Sequence, residues 1–199
     1  MKKYTDKALK TRMAVLNAAR AQFHARGYAD TSMDDIIRAS GVAKGNVYYH
    51  FKSKEAVALA ALEHYKEFAL RTAFPGDGVP PLEQVVRYID GAVERMAGAE
   101  ACRKGCFFGN LALEMSPYSE PLRKSLEDYF TKMERRARGL LGKAKKAGAL
   151  PDHVDPAQAA GMMFGLLEGA ILLGKVKRSP KEVRTAARFL KTYLGVAAE

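Results

Sequence analysis

The residues of this chain best equipped for chemistry fall in two short strings. The first is Lys44-Gly45-Asn46-Val47-Tyr48-Tyr49-His50-Phe51, with Lys54 close behind. It crowds an ammonium, an amide, two phenols and an imidazole together, and Gly45 lets the backbone approach a surface closely. Such groups exchange hydrogen bonds with base edges and phosphate oxygens. The second string is Arg103-Lys104-Gly105-Cys106. A thiol at a helix N-terminus beside two cations is favoured as its thiolate, which oxidises and alkylates selectively. Cys102 lies four residues upstream. It is a candidate resolving thiol, though a loop position with no role is the simpler reading. Two cysteines so spaced make no disulfide framework and suit a reducing, cytoplasmic setting. His24, His50, His64 and His153 are distant from Cys106 in sequence and form no dyad or metal spacing. Glycine-rich phosphate loops are missing as well, so no cofactor or metal is expected. A small helical enzyme with Cys106 as nucleophile is the alternative of a different class.

The elements that must position the first string can be read around it. Thr31 or Ser32 caps a helix, with Asp34 or Asp35 three residues on, as in a capping box. Met33, Ile36 and Ile37 give that helix one apolar face. Gly41 follows where a chain leaving a helix commonly needs a positive φ. Val42, Val47 and Phe51 restart an apolar face on a second helix of about two turns. Two short helices around such a turn have helix-turn-helix geometry, in which the second helix enters the major groove. The expected DNA-contacting set is Thr31, Ser32, Ala43, Lys44, Gly45, Asn46, Tyr48, Tyr49, His50 and Lys54. An ordinary helical hairpin is the plainer reading, and charge argues against it. Residues 1–54 hold eleven Lys and Arg against four Asp, a net +7 of the whole chain's +11. Charge concentrated on one small domain is the footprint of a polyanion partner. Lys2, Lys3, Lys7, Lys10 and Arg12 either add phosphate contacts or form a solubilising tail.

Residues 31–54 resemble the DNA-binding domain of TetR-type transcriptional repressors. The resemblance rests on Thr31-Ser32-Met33, Ile36-Ile37, Ser40-Gly41-Val42-Ala43-Lys44-Gly45, Val47-Tyr48, His50-Phe51 and Ser53-Lys54-Glu55. Ala18-Ala19, Phe23 and Arg26-Gly27-Tyr28 extend it upstream. It implies a homodimer joined through the last two helices, a near-palindromic double-stranded DNA operator, and release by a small-molecule effector held in the helical body.

Punctuation divides the rest of the chain into helices. The expected spans are 7–26, 53–73, 81–96, a short helix from about 106, 121–147, 156–176 and 180–194. Residues 75–81 and 97–104 are read as loops. Strand-like alternation is absent. The expected fold is all-α, with a three-helix helix-turn-helix DNA-binding domain over 1–52 and a helical effector-binding and dimerisation domain over 53–199. Residues 157–174 are nearly all apolar and close to membrane-spanning length. Glu168 lies within them, where lipid would make its charge costly. Gly161, Gly165 and Gly169 recur every four residues, a spacing that lets helices approach closely. A packed interface helix is expected rather than a membrane span. The N-terminal residues lack the apolar core of a secretory signal.

Two segments of the second half resemble one subgroup of the same family. They are Gly105-Cys106-Phe107-Phe108-Gly109-Asn110 and Gly169-Ala170-Ile171-Leu172-Leu173-Gly174-Lys175. That subgroup includes repressors answering to reactive electrophiles, oxidants or small unsaturated acids. In its thiol-switch members the cysteine senses and the lysine can pair with the oxidised sulfur. The resemblance makes Cys106, Phe107, Asn110, Glu168 and Lys175 the effector candidates. The glycine and asparagine after Cys106 look instead like members that bind metabolites without covalent chemistry. Phe108, Glu114, Tyr118, Tyr129, Met133, Met162, Met163 and Phe164 are further pocket candidates, although such side chains at helical spacing more often form core.

Overall fold

The computed structural model describes residues 6–74, 76 and 78–197. Lys2, Lys3 and the Lys7 side chain from the basic arm, and Pro75 and Asp77 from the 75–81 loop, lie outside the described residues. Among those described there are ten α-helices and no strand. They are α1 Asp6–Arg26, α2 Met33–Ser40, α3 Lys44–His50, α4 Lys54–Thr72, α5 Pro81–Arg95, α6 Ala99–Lys104, α7 Phe107–Met115, α8 Glu120–Lys146, α9 Pro156–Lys177 and α10 Lys181–Tyr193. Most ends fall within a residue or two of the sequence cues. The exception is the expected loop 97–104, which contains α6. Six residues are too few for apolar periodicity to register.

The chain forms two compact units, Met1–Phe68 with Phe107–Glu127, and Ala69–Cys106 with Asp128–Glu199. The three-helix head drawn from sequence as residues 1–52 lies inside the first unit. That unit also takes most of α4, all of α7 and the start of α8.

In the first unit α1 packs on α2, and α3 touches both. Ser32 is the cap of α2. Its hydroxyl accepts from the Asp35 N–H, and the Asp35 carboxylate accepts from the Ser32 N–H at 2.9 Å, closing the capping box. Ile36 is fully buried from the apolar face of α2, and Val47 from that of α3. Each such burial contributes about 1.5–3 kcal/mol. Gly41 ends α2 at φ +66°, a left-handed conformation that glycine adopts without a Cβ clash. The Arg12 guanidinium, expected among the phosphate contacts, lies 4.6 Å over the Phe51 ring. It fastens α1 to the end of α3.

In the second unit α10 packs on α9 and α5, and α6 packs on α9. Ile89, Met133, Leu141, Met163 and Val183 are fully buried there. Arg136 donates to the Leu70 and Phe74 carbonyls at 2.6 and 3.0 Å, satisfying the C-terminal end of α4. Asp155 caps α9 by accepting from the Gln158 N–H at 2.7 Å, with Pro156 at the first helical position. Helix α9 is long and apolar enough to cross a membrane by length and composition alone. It is packed along one side, and its other side is open. Ala160, Met163, Leu167 and Ala170 are buried, while Met162, Leu172, Leu173 and Val176 are exposed.

Ser32→Ala should cost about 1 kcal/mol of stability in thermal unfolding, the usual cost of losing an N-cap side chain. The hydrogen bonds from Ser32 hold the Asp35 carboxyl at about 2, below its ordinary 3.8. The folded pKa is depressed, so the contribution of the box is present above pH 3.8 and is lost as pH falls towards 2. The gap between the variant and the wild type should therefore narrow over that range, leaving the part due to the hydroxyl's bond from the Asp35 N–H. A gap that stays constant with pH would show that Asp35 is not bonded as described.

Candidate nucleic-acid interface and thiol cluster

The head presents α3 outward. Ala43, Lys44, Gly45, Asn46, Tyr48 and Tyr49 are all exposed, and Tyr49 shows 71% of its surface. Lys44 reaches back to Asp34 at 2.9 Å, a surface ion pair that a phosphate can compete for. Asp34 raises the Lys44 ammonium's pKa, by hydrogen bond and by charge. His50 is half-buried at the end of α3, its ring edge-on to Tyr49. Ser32 is exposed at the start of α2 and engaged in its cap.

Two residues of the expected DNA-contacting set are placed differently. Thr31 is fully buried and its hydroxyl donates to the Gly27 carbonyl at 2.7 Å. Lys54 is half-buried, its ammonium donating to the Tyr28 carbonyl at 2.9 Å and lying 4.3 Å over the Tyr28 ring. Both hold the turn between α1 and α2. The spacing of Thr31 and Lys54 in sequence could not distinguish groups facing DNA from groups folded back onto that turn.

A third residue completes the turn. Glu114 on α7 accepts from the N–H groups of Tyr28 and Ala29, at 2.7 and 2.6 Å. Gly27 leaves α1 at φ +89°, and a Cβ there would meet a Glu114 oxygen at 3.2 Å. Glycine is thus needed twice over, for the left-handed backbone and for the close carboxylate. Glu114 was only a pocket candidate in the sequence, because nothing local shows that a carboxylate 85 positions downstream of Ala29 meets the turn.

The second unit holds the thiol. Cys106 is half-buried immediately before α7, and its S–H donates to the carboxylate of Glu168 on α9. Burial pushes the Glu168 carboxyl above the ordinary 4.5, against the opposing effects of the Cys106 hydrogen bond and the Arg95 charge. Tyr88 on α5 stands in the same field. Burial pushes its phenol well up, Arg95 opposes this, and Cys106 and Glu168 add to it. The Tyr88 ring meets Phe164 at 5.6 Å and stacks on Phe74 at 4.9 Å. The cluster is thus Tyr88, Arg95, Cys106, Phe164 and Glu168. Tyr88 and Arg95 escaped sequence reading because α5 carries no motif. Lys175 stands two turns beyond Glu168 on the same face of α9, about 10 Å along the axis.

The two cations that precede the thiol lie at the end of α6. Arg103 is exposed, and Lys104 pairs with Glu100 at 3.0 Å. Cys102 is not in a loop but on α6, fully buried, its thiol donating to the Met96 carbonyl at 3.2 Å. Phe107, expected beside the effector, is buried in the first unit against Tyr65 and His24. Asn110 is half-buried on α7. Tyr118 leaves 82% of its surface exposed.

A short two-helix reader with an outward polar second helix, carried on an all-helical body, is the build of a DNA-binding transcriptional regulator. Residues 15–61 match the model of the bacterial regulatory proteins of the tetR family, and residues 81–190 that of the tetracyclin repressor-like C-terminal domain. The chain belongs to the TetR family of regulators. It is similar to the transcriptional regulator AcuR of Cereibacter sphaeroides, 31% identical over 82% of this chain and 75% of that protein. It is also similar to the transcriptional repressor DhaR of a Mycobacterium species, 29% identical over 79% of this chain and 78% of that one. The crystal structure of a regulatory protein TetR from Rhodobacter sphaeroides shares the fold. Its TM-score is 0.81 at 28% identity, covering 91% of this chain and 97% of the other.

Glu114→Ala strips two N–H groups of their acceptor and should cost about 1–2 kcal/mol. Amide hydrogen exchange at Tyr28 and Ala29 should quicken more than exchange in α9; uniform quickening would show that the turn does not depend on Glu114. For Glu168 the folded pKa is raised, so its favourable contribution is present below 4.5 and is lost as pH rises through the folded value. Glu168→Gln should therefore match or exceed the wild type in melting temperature at pH 7, with the difference closing in acid.

Proposed function

We propose that this regulator is a homodimeric repressor acting in the cytoplasm. Residues 1–52 read a near-palindromic operator, and residues 53–199 bind the effector and dimerise. The observation that carries the reading is the exposed polar face of α3, within residues 1–54 that bear net +7 of the chain's +11. Ala43, Lys44, Gly45, Asn46, Tyr48, Tyr49 and His50 address the major groove and its flanking phosphates, with Ser32 at the α2 terminus. Thr31 and Lys54 act one step back, by setting the turn that aims α3.

The exposed stripe on α9 supports dimerisation through the last two helices. Met162, Leu172, Leu173 and Val176 face outward together with Phe189 of α10. Gly165 and Gly169 are exposed along the same side, with open space where a Cβ would stand. A contiguous apolar stripe of this kind marks an interaction site. Two-fold pairing then sets two α3 helices at successive major grooves.

The effector acts on the cluster around Cys106. A thiol-reactive electrophile would replace the hydrogen of the S–H and end its donation to Glu168, and an oxidant such as a peroxide would convert S–H to S–OH and so displace the donor. Lys175 is the further candidate partner of the modified sulfur. A non-covalent small acid is the second reading, and one observation favours it. Cys106 is hydrogen-bonded to the Glu168 carboxylate, and the Arg95 charge bears on the same cluster. Either ligand lowers DNA affinity by favouring the conformation that does not bind.

Capture of genomic DNA fragments by the purified protein, followed by a mobility shift across salt concentrations, tests the operator. A palindrome should bind at least about a thousandfold more tightly than random DNA; equal affinity would overturn the reading. Tyr48→Ala should weaken that binding roughly tenfold or more without changing the melting temperature. Cys106→Ser separates the two effector readings. It should keep operator binding and lose release by a thiol-reactive probe such as N-ethylmaleimide. Release that survives rules out the Cys106 thiol as the sensor.

A further inference from the structure

Away from the thiol cluster, the first unit carries an open groove of 210 Å³ between α1 and α4. Leu16, Asn17 and Arg20 line one wall; His64, Tyr65 and Phe68 line the other. Its chemistry is unusually one-sided. The Arg20 guanidinium lies 4.8 Å over the Tyr65 ring, and among the described residues no carboxylate lies within 4 Å of it. Asn17 is exposed, and the His64 imidazole adds a second nitrogen group to the opposite wall. Tyr65 and Phe68 are stacked with their planes 17° apart, and Phe68 leaves 49% of its surface free. A cation without a carboxylate, beside two near-parallel rings in a concave site, is complementary to a flat anion. The volume equals about seven liquid waters, enough for one ring and a carboxylate.

We infer that this groove binds a small planar aromatic carboxylate, at a site separate from the Cys106 cluster. The carboxylate pairs with Arg20, within reach of Asn17 and His64. The ring lies against Tyr65 and Phe68. The placement gives such a ligand a direct hold on the head. Tyr65 also stacks on Phe108 at 5.2 Å and meets Phe107 edge-on at 5.5 Å, and Phe107 meets His24 of α1. An occupant therefore bridges α1 and α4 where these rings already join them to α7. It braces the head within its own unit, independently of the proposed chemistry at Cys106.

Benzoate is the probe, titrated into the full-length protein by calorimetry and by ligand-observed NMR. Benzamide, which keeps the ring and loses the charge, and cyclohexanecarboxylate, which keeps the charge and loses the flat ring, are the controls. Wild type should bind benzoate saturably, and both controls roughly tenfold more weakly. Arg20→Gln should weaken benzoate by about the same factor, and Cys106→Ser should leave it unchanged. Three results would overturn the inference: no saturable binding at millimolar benzoate, affinity for benzamide or cyclohexanecarboxylate equal to that for benzoate, or loss of binding in Cys106→Ser. The two control ligands decide the matter on the wild type even if Arg20→Gln fails to fold. Failure of the Cys106 reading leaves all of these outcomes unaffected.

Discussion

The Glu114 carboxylate, accepting from the Tyr28 and Ala29 N–H groups, is the interaction on which the geometry of the head depends. A turn of six residues, 27–32, cannot satisfy all of its own backbone groups, and each group left without a partner costs free energy. Glu114 supplies the acceptors, while Lys54 supplies a donor to the Tyr28 carbonyl. Thr31 closes the turn on Gly27. Charged partners make these bonds stronger than the neutral bonds within a helix. The direction in which α2 departs follows from that turn, and α3 takes its own direction from α2 through Gly41. The bearing of α3 is thus inherited from groups that lie far off in sequence.

This division explains what could be read from the chain. Helix ends were legible because Ser32, Gly41, Asp155-Pro156 and Gly148 act on their own neighbours. The α3 face was legible because charge and residue type report exposure well. Thr31 and Lys54 were misread for the opposite reason. A hydroxyl and an ammonium suit a phosphate and a backbone carbonyl equally, and only the fold shows which one stands nearby. Glu114, Tyr88 and Arg95 had no local pattern at all, since their partners lie on other helices. Helix α6 was missed because a single turn carries no period.

The thiol site shows the same limit in its electrostatics. Arg103 and Lys104 adjoin Cys106 along the chain, and adjacency suggested a thiolate. In the folded unit Lys104 turns to Glu100, and the thiol meets Glu168 instead. A half-buried carboxyl is costly to ionise, and a hydrogen-bond donor offsets part of that cost. Cys106 and Glu168 therefore stabilise one another in the resting protein. A ligand that removes the S–H donor alters the carboxyl as much as the sulfur, and the change extends to Tyr88 and Arg95 in the same field.

The chain order of the two compact units carries a consequence for biogenesis. The DNA-reading helices are the earliest of the described segments to leave the ribosome, yet their unit also needs residues 107–127. Until Glu114 has been synthesised, the turn after α1 lacks its acceptor, and α3 has no fixed bearing. A nascent chain stalled among α5 and α6 would expose a basic, incompletely braced head. Translation thus imposes a delay between making the exposed α3 residues and fixing their bearing, and a truncated product ending before α7 would lack the acceptor for the turn after α1.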